Sequence, residues 1–475
     1  MIKRYRTLIA GEWVGDHLPG TEVINPFDDT VVGIVPMVGK DEIDRAIRGA
    51  KQALAVMAGL PACKRADILE RTAGLIRRDR DEIAGIIARE AGKAWKYALT
   101  EADRTAETFA FAAHEARAPQ GELVPMDASP VSAGRFGYYL RTPVGVIGAI
   151  SPFNFPFNLV AHKVAPALAA GNTVVLKPAP KTPLSAIKLA ELLVEAGIPE
   201  GALSVVIGGA EVGEALVTDD RLAMISFTGS PAVGRKISAR AGLKRVALEL
   251  GASSPTIIDA DADLDFAVSR CVYGSFANSG QICVSVQRIY LHRSVYGAFL
   301  ERFVAAVRRL RVGDPLDPGT DVGPMISRAE RERTLAWIDE ARSAGARVET
   351  GGETVGNCLL PSVLSGVTRE MKVICAEAFA PVVSLMPFDD FDEALAMAND
   401  SLFGLQAGVF TKDIGKAFRA VRQLHMGGVI INDVPTFRVD QMPYGGVKES
   451  GLGREGVRYA MEEMSNIRMV CIDHS

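Results

Sequence analysis

The sequence has little cysteine and no cysteine pair. Six cysteines in 475 residues stand at 63, 271, 283, 358, 375 and 471, and none forms C-x-x-C. The six histidines do not cluster with them, so zinc-ligand spacing is absent and no metal site is expected. A disulfide framework is not expected in so large a chain, and the default reading of each cysteine is a small buried hydrophobe. No apolar run reaches membrane-spanning length. The basic start, "MIKRYRTLIAGEW", lacks a sustained apolar stretch and a cleavage signal, so a cytoplasmic protein with no membrane partner is expected. Strong charge of one sign is also missing. A formal net charge of −4 gives no electrostatic reason to expect nucleic acid. Internal repeats and low-complexity tracts are absent.

A chain of 475 residues exceeds one compact core, and two or three domains are expected. Hydrophobic residues at 48% and charged residues at 23% have the balance of a soluble globular protein. The first hundred or so residues read mainly as helix. "KDEIDRAIRGAKQALAVM" and "KRADILERTAGLIRRDRDEIAGIIAREAGKAW" repeat apolar residues at three- and four-residue spacing. Short apolar runs at 144–150, 172–178, 203–208, 223–229 and 244–251 then alternate with helical stretches. Such alternation predicts a parallel sheet covered on both faces, with ligands beyond the carboxyl ends of its strands. A second alternation follows a boundary near residue 251, with strands at 288–293 and 427–432. The end, "SNIRMVCI", reads as a strand seeking a partner, either the 130–141 arm or another subunit.

Several strand ends carry chemistry. "FTGSPAVGRK" closes a strand and opens a helix, but Arg235 stands where a Walker loop needs lysine, and the stretch is not G-x-G-x-x-G. Gly229 permits close backbone approach, Pro231 suits a first helical turn, and free N–H groups there attract phosphate. Lys177 of "KPAPKTP" ends another strand, where a ribose or phosphate would lie. Asn154, inside "SPFNFP", carries an amide able to donate to an oxyanion. It serves equally well to satisfy its own loop. Glu249 of "LELG" stands between two leucines, where burial would raise its pKa and suit a general base. Gly280 and Gln281 before Cys283 suggest a tight approach after a helix.

Seven stretches in order, "SPFNFP", "GNTVVLKPA", "FTGSPAVG", "LELG", "GQICVSVQR", "EAFAP" and "MPYGGVKESGLGREG", resemble the aldehyde dehydrogenase superfamily along nearly the whole chain. "SVQRIYLH" and "FRVDQMPYGGVKESG" are most similar to the branch holding lactaldehyde dehydrogenases and non-phosphorylating glyceraldehyde-3-phosphate dehydrogenases. The resemblance implies an α/β fold in three parts. These are a parallel-sheet NAD(P)-binding domain (1–125 and 142–250), an α/β catalytic domain (251–440), and an oligomerisation arm and tail (126–141 and 460–475). It implies a homo-oligomer, dimer or tetramer, acting on a small-molecule aldehyde.

By motif match, Cys283 resembles the nucleophile, Glu249 the general base and Asn154 an oxyanion donor, with Lys177 counted beside them and against the adenosine ribose. Around the cofactor the resemblance places Ile150, Ser151, Pro152 and Phe153, then Ala179, Pro180 and Gly209. Phe227, Gly229, Ser230 and Val233 would carry the pyrophosphate turn, with Leu250 and Gly251 after it. Glu377 would hold the nicotinamide ribose and Phe379 the nicotinamide. Pro180 replaces a glutamate that favours NAD over NADP, and Lys181 stands beside it. Both cofactors stay open, with NAD favoured. "GAS" (251–253), Ala380 and Phe153 also depart from the family's usual residues, and none of these removes a catalytic group. Glu249 argues against an acylating enzyme that passes its thioester to coenzyme A. Intact Cys283, Glu249 and Asn154 argue against a non-catalytic binding protein. Ile282 before the cysteine disfavours phosphorylated substrates. Arg104, His162, Arg288, Phe437 and Arg438 are the candidate substrate contacts, and a small hydroxyaldehyde or semialdehyde is the expected substrate.

Overall fold

The computed structural model describes residues 2–118 and 121–473. Residues 1, 119, 120 and the last two of the expected tail, 474 and 475, lie outside the described residues.

Strands precede the expected helices. Residues 7–36 form two antiparallel hairpins, β1 (Thr7–Ile9) with β2 (Glu12–Val14), and β3 (Gly20–Ile24) with β4 (Val31–Pro36). The first turns at Ala10 and Gly11, with φ of 51° and 90°, and paired positive φ values suit a two-residue hairpin. The helical periodicity takes over at α1 (Lys40–Gly59), α2 (Ala62–Arg78), α3 (Arg80–Ala91) and α4 (Trp95–Arg117). The apolar stripe over 64–95 is cut at Asp79 and again at Gly92, whose φ of 67° ends α3. Next, β5 (Gly121–Val124) and β6 (Arg135–Pro143) form a separate three-stranded sheet with the terminal strand Ser465–Asp473. That last strand pairs with β6 from Ser465↔Pro143 to Asp473↔Arg135.

The first large sheet holds β7 (Val146–Ile150), β8 (Thr173–Lys177), β9 (Leu203–Val205), β10 (Met224–Gly229) and β11 (Arg245–Leu250). Across the sheet the order is Gly451–Leu452, β11, β10, β7, β8, β9, all parallel except the first pair. The connecting helices are α5 (Asn158–Ala169), α6 (Leu184–Glu195), α7 (Ala210–Thr218) and α8 (Pro231–Arg240). Every residue of β7 and β8 is buried, as a doubly covered parallel sheet requires. From β7 the chain winds one way through β8 and β9, then the other way through β10 and β11. The carboxyl ends of β7 and β10 therefore flank the switch point where such sheets bind ligands.

The second sheet is built around β12 (Ser254–Ile258) and β13 (Val286–His292). Its order is Arg347–Thr350, Ser362–Ser365, Val382–Phe388, β13, β12, Gln406–Phe410, Gly428–Ile431, parallel except the first pair. Between β12 and β13 run α9 (Leu264–Phe276) and the turn that carries Cys283. The alternation read from the sequence thus gives a mixed α/β fold with parallel sheets. Among the described residues no helix is long and apolar enough to cross a membrane.

One buried ion pair fixes the entry to α5. Glu101 of α4 meets the Lys93 ammonium, and both side chains are fully buried. The same carboxylate accepts the N–H groups of Phe157 and Asn158 at 2.9 and 3.1 Å, the free donors of the helix start. Replacing Glu101 by Ala leaves a buried ammonium and two orphan donors. The expected loss is about 3–5 kcal/mol in denaturant unfolding, with Glu101→Gln intermediate.

Candidate active site

Cys283 lies just past a run of left-handed backbone, Asn278 (φ 51°), Ser279 (φ 56°) and Gly280 (φ 67°). A Cβ on Gly280 would stand 2.0 Å from the Ala380 carbonyl oxygen, so only glycine fits. Side chains pin the turn. Asn278 Nδ2 donates to the carbonyls of Asn154 and Gln281 at 3.1 and 3.2 Å, and Ser279 Oγ donates to the Gly323 carbonyl at 2.8 Å. Asn154 Nδ2 donates to the Gln281 carbonyl at 2.9 Å, so the loop after β7 is tied directly to the cysteine turn.

The thiol is partly buried and borders two cavities. The first, of 250 Å³, is lined by Tyr97, Arg104, Phe155, Asn158, Arg270, Tyr273, Ile282, Thr436, Phe437, Arg438 and Tyr444, among others. The second, of 360 Å³, lies beyond the ends of β7, β10 and β11. Its wall includes Pro152, Phe153, Asn154, Ala179, Thr228, Gly229, Ser230, Glu249, Leu250, Gly251, Arg333, Glu377 and Phe379. The residues expected around a cofactor divide accordingly. Phe153 and Phe379 meet edge to face with centroids 5.8 Å apart in that wall. Ile150, Ser151, Lys177, Pro180, Gly209, Phe227 and Val233 do not line it. Ile150 and Lys177 close β7 and β8, Phe227 lies in β10, Gly209 precedes α7 and Val233 lies in α8. Lys177 is buried at the end of β8, and burial lowers its pKa against the opposing pull of Glu211.

Glu249 and Cys283 share the second cavity. The Glu249 carboxyl is buried, and its Oε2 has no partner among the described residues. Burial, then the neighbouring Glu455 carboxylate, push its pKa well above the usual carboxylate range. Burial also pushes the Cys283 thiol up to about 11, while a 2.8 Å hydrogen bond between its Sγ and the Tyr444 hydroxyl pulls it down. The Arg438 guanidinium lies 3.7 Å from the Tyr444 ring centroid and pairs with Glu455 at 3.1 Å, and Lys163 holds the other Glu455 oxygen at 3.1 Å. Tyr444, Glu455 and Lys163 were not singled out from the sequence. Tyr444 and Glu455 stand inside "MPYGGVKESGLGREG", whereas nothing local marks Lys163, a lysine buried in an apolar helix.

Two expected substrate contacts are corrected. His162 does not face the first cavity. α5 is buried on every side, and there the His162 Nε2 meets Asp440 at 2.8 Å, the carboxylate that Arg104 grips at 2.6 Å. Asn158, one turn earlier, lines the cavity instead. Arg288 lies in the core of the second sheet. Its Nε and Nη2 donate to the Ser253 carbonyl at 3.0 and 2.7 Å and its Nη1 to the Tyr290 hydroxyl at 3.0 Å, leaving it a structural clamp. Arg104, Phe437 and Arg438 do line the cavity.

With this geometry in hand, the comparisons with known proteins are direct. The model of the aldehyde dehydrogenase family matches residues 13–470. The 3-sulfolactaldehyde dehydrogenase of Priestia aryabhattai is 44% identical over 473 residues, covering 99% of this chain and 98% of that protein. Aldehyde dehydrogenase 21 from Physcomitrella patens, solved in complex with the reaction product succinate, superposes with a TM-score of 0.98 at 40% identity, covering 100% and 99% of the two chains. Glyceraldehyde-3-phosphate dehydrogenase GapN from Methanocaldococcus jannaschii, solved with NADP, gives a TM-score of 0.92 at 41% identity over 95% and 99%. The chain belongs to the aldehyde dehydrogenase family. It is an oxidoreductase acting on the aldehyde group.

The raised thiol sets a measurable pH profile. In the free protein, alkylation of Cys283 by iodoacetamide is expected to climb about tenfold per pH unit through pH 9.5, without levelling near the ordinary thiol value of about 8.5. Removing the hydroxyl in Tyr444→Phe raises the thiol pKa further and slows alkylation at every pH in that range. Equal rates for the two proteins would show that the hydrogen bond does not stabilise the thiolate.

Proposed function

We propose that this protein oxidises a small polar aldehyde, a hydroxyaldehyde or a semialdehyde, to its carboxylic acid with NAD or NADP. One observation carries the reading: the Cys283 thiol borders two cavities at once. The first has room for a small aldehyde. The second lies at the sheet's switch point and fits a nicotinamide cofactor. There Gly251 is so close to Glu377 that a Cβ would stand 2.0 Å from its Oε2, and the buried Thr228 hydroxyl has no protein partner. That hydroxyl is open to a ligand. The NADP of the archaeal neighbour supports the cofactor assignment. Ser230 and the first turn of α8 would take the pyrophosphate, Lys177 the adenosine ribose, Glu377 the nicotinamide ribose and Phe379 the ring. With no glutamate at Pro180, either cofactor is accommodated.

The Cys283 thiolate adds to the aldehyde carbon and the carbonyl becomes an oxyanion. Asn154 has a second N–H beyond the one given to Gln281, and with the Cys283 backbone N–H it would stabilise that charge, each donor contributing about 3 kcal/mol. The cofactor, when held by these residues, would supply the hydride acceptor. A thioester remains on Cys283. Glu249, with one oxygen unpaired and its proton affinity raised, takes a proton from the water that hydrolyses it. The exposed Ile467, Met469 and Ile472 along the terminal strand support a homo-oligomer joined through that sheet. The 251 boundary between the two large sheets supports one cofactor-binding and one thiol-bearing domain.

Two variants test the assignment. Cys283→Ala is expected to abolish aldehyde-dependent reduction of either cofactor. Glu249→Gln is expected to lose about 100-fold or more in turnover while an acyl adduct accumulates on Cys283, read by mass spectrometry. Full turnover by Cys283→Ala, or no adduct in Glu249→Gln, would overturn these roles.

A further inference from the structure

The first cavity is lined by a buried amide whose hydrogen-bonding capacity is unspent. Asn158 is 1% exposed, and among the described residues neither its Nδ2 nor its Oδ1 has a partner. Buried amides are otherwise paired, because an orphaned donor or acceptor retains its full desolvation cost. The residue is not loosely held. It opens α5, and its backbone N–H donates to Glu101 Oε1 at 3.1 Å. Much of the surrounding polar lining is already engaged. Thr436 donates to the Gly274 and Val284 carbonyls, Arg270 grips Asp433, and Arg104 grips Asp440. What occupies the cavity must therefore answer an amide with a donor and an acceptor together. Exchanging the amide's oxygen and nitrogen leaves that requirement unchanged.

The chemistry of the occupant follows. Carboxylate, sulfonate, phosphate and carbonyl groups accept only, and would leave Oδ1 unpaired. An ammonium only donates, and would leave Nδ2 unpaired. A hydroxyl donates to Oδ1 and supplies lone pairs to Nδ2. We infer that Asn158 is a specificity-determining residue that reads a hydroxyl group on carbon 2 or 3 of the aldehyde, so that hydroxyaldehydes are the preferred substrate class. This rests on the aldehyde-oxidising reading above and selects within it.

The test is a ratio. kcat/KM is measured for 2-hydroxypropanal, 3-hydroxypropanal and propanal, with saturating NAD or NADP, for the full-length wild type, Asn158→Leu and Asn158→Asp. The wild type is expected to favour one hydroxyaldehyde over propanal on the order of 100-fold, because a site that pairs with a hydroxyl leaves its own groups unpaired against the deoxy analogue. In Asn158→Leu the ratio falls to near 1. In Asn158→Asp, which keeps acceptors but loses the donor, it is intermediate. Each ratio is independent of how much enzyme is folded. A wild type without preference, or variants that keep the wild-type ratio, would overturn the inference while leaving aldehyde oxidation standing. Failure of the wild type to oxidise any aldehyde would overturn the proposed function and this inference with it.

Discussion

The catalytic geometry depends on the absence of one side chain. At residue 280 a Cβ would lie 2.0 Å from the Ala380 carbonyl, so the turn before Cys283 packs backbone against backbone. Two similar contacts extend the seam. Gly251 admits the Glu377 carboxylate, and a Cβ on Gly445 would stand 2.9 Å from Glu249 Oε1. Three glycines thus allow the ends of β11, the cysteine turn and the Tyr444 loop to converge. The Gly280 contact, backbone against backbone, cannot relax by choosing another rotamer, which makes the turn rigid beside the reacting thiol.

Close packing also determines the charge states. Exclusion of water pushes both the Cys283 thiol and the Glu249 carboxyl toward their neutral forms. For the carboxyl this strengthens its affinity for a proton, as a general base requires. For the thiol it is a cost, which the Tyr444 hydroxyl and the Arg438 charge partly offset. Although burial alone would raise the pKa of Glu455, Lys163 and Arg438 hold its carboxyl well below the usual carboxylate range. That fixed negative charge adds to the larger effect of burial in keeping the proton affinity of Glu249 high.

The large-scale order of the fold was legible because parallel sheets write themselves as continuous apolar runs. The runs at 144–150, 172–178 and 223–229 became β7, β8 and β10 nearly residue for residue. The opening hairpins were missed because their signal is a two-residue turn in short, weakly patterned strands. Cys283, Glu249 and Asn154 were legible through motif, and the cavity shared by all three gives the grouping a physical form. His162 and Arg288 were misread for one reason. From sequence, a cationic residue near a catalytic loop looks available. In the fold each faces a partner distant in sequence, Asp440 and Ser253, and that pairing has no local signature. Asn158 went unnoticed for the converse reason, since an unpaired amide is a property of its surroundings alone.

The same long-range pairing shapes the substrate side. Three arginines line the first cavity, and this invites the reading of a strong anion trap. Yet Arg104 holds Asp440, Arg270 holds Asp433 and Arg438 holds Glu455, while Glu101 is balanced by Lys93. Each positive charge facing the cavity has a carboxylate attached before any ligand arrives. An anionic aldehyde would compete with ion pairs already formed, so its charge adds less to binding than the arginine count suggests. Discrimination then falls to groups that have no partner in the protein, where a matching hydrogen bond is gained in full and a missing one leaves a buried orphan. In this cavity that balance favours hydroxyl recognition over charge.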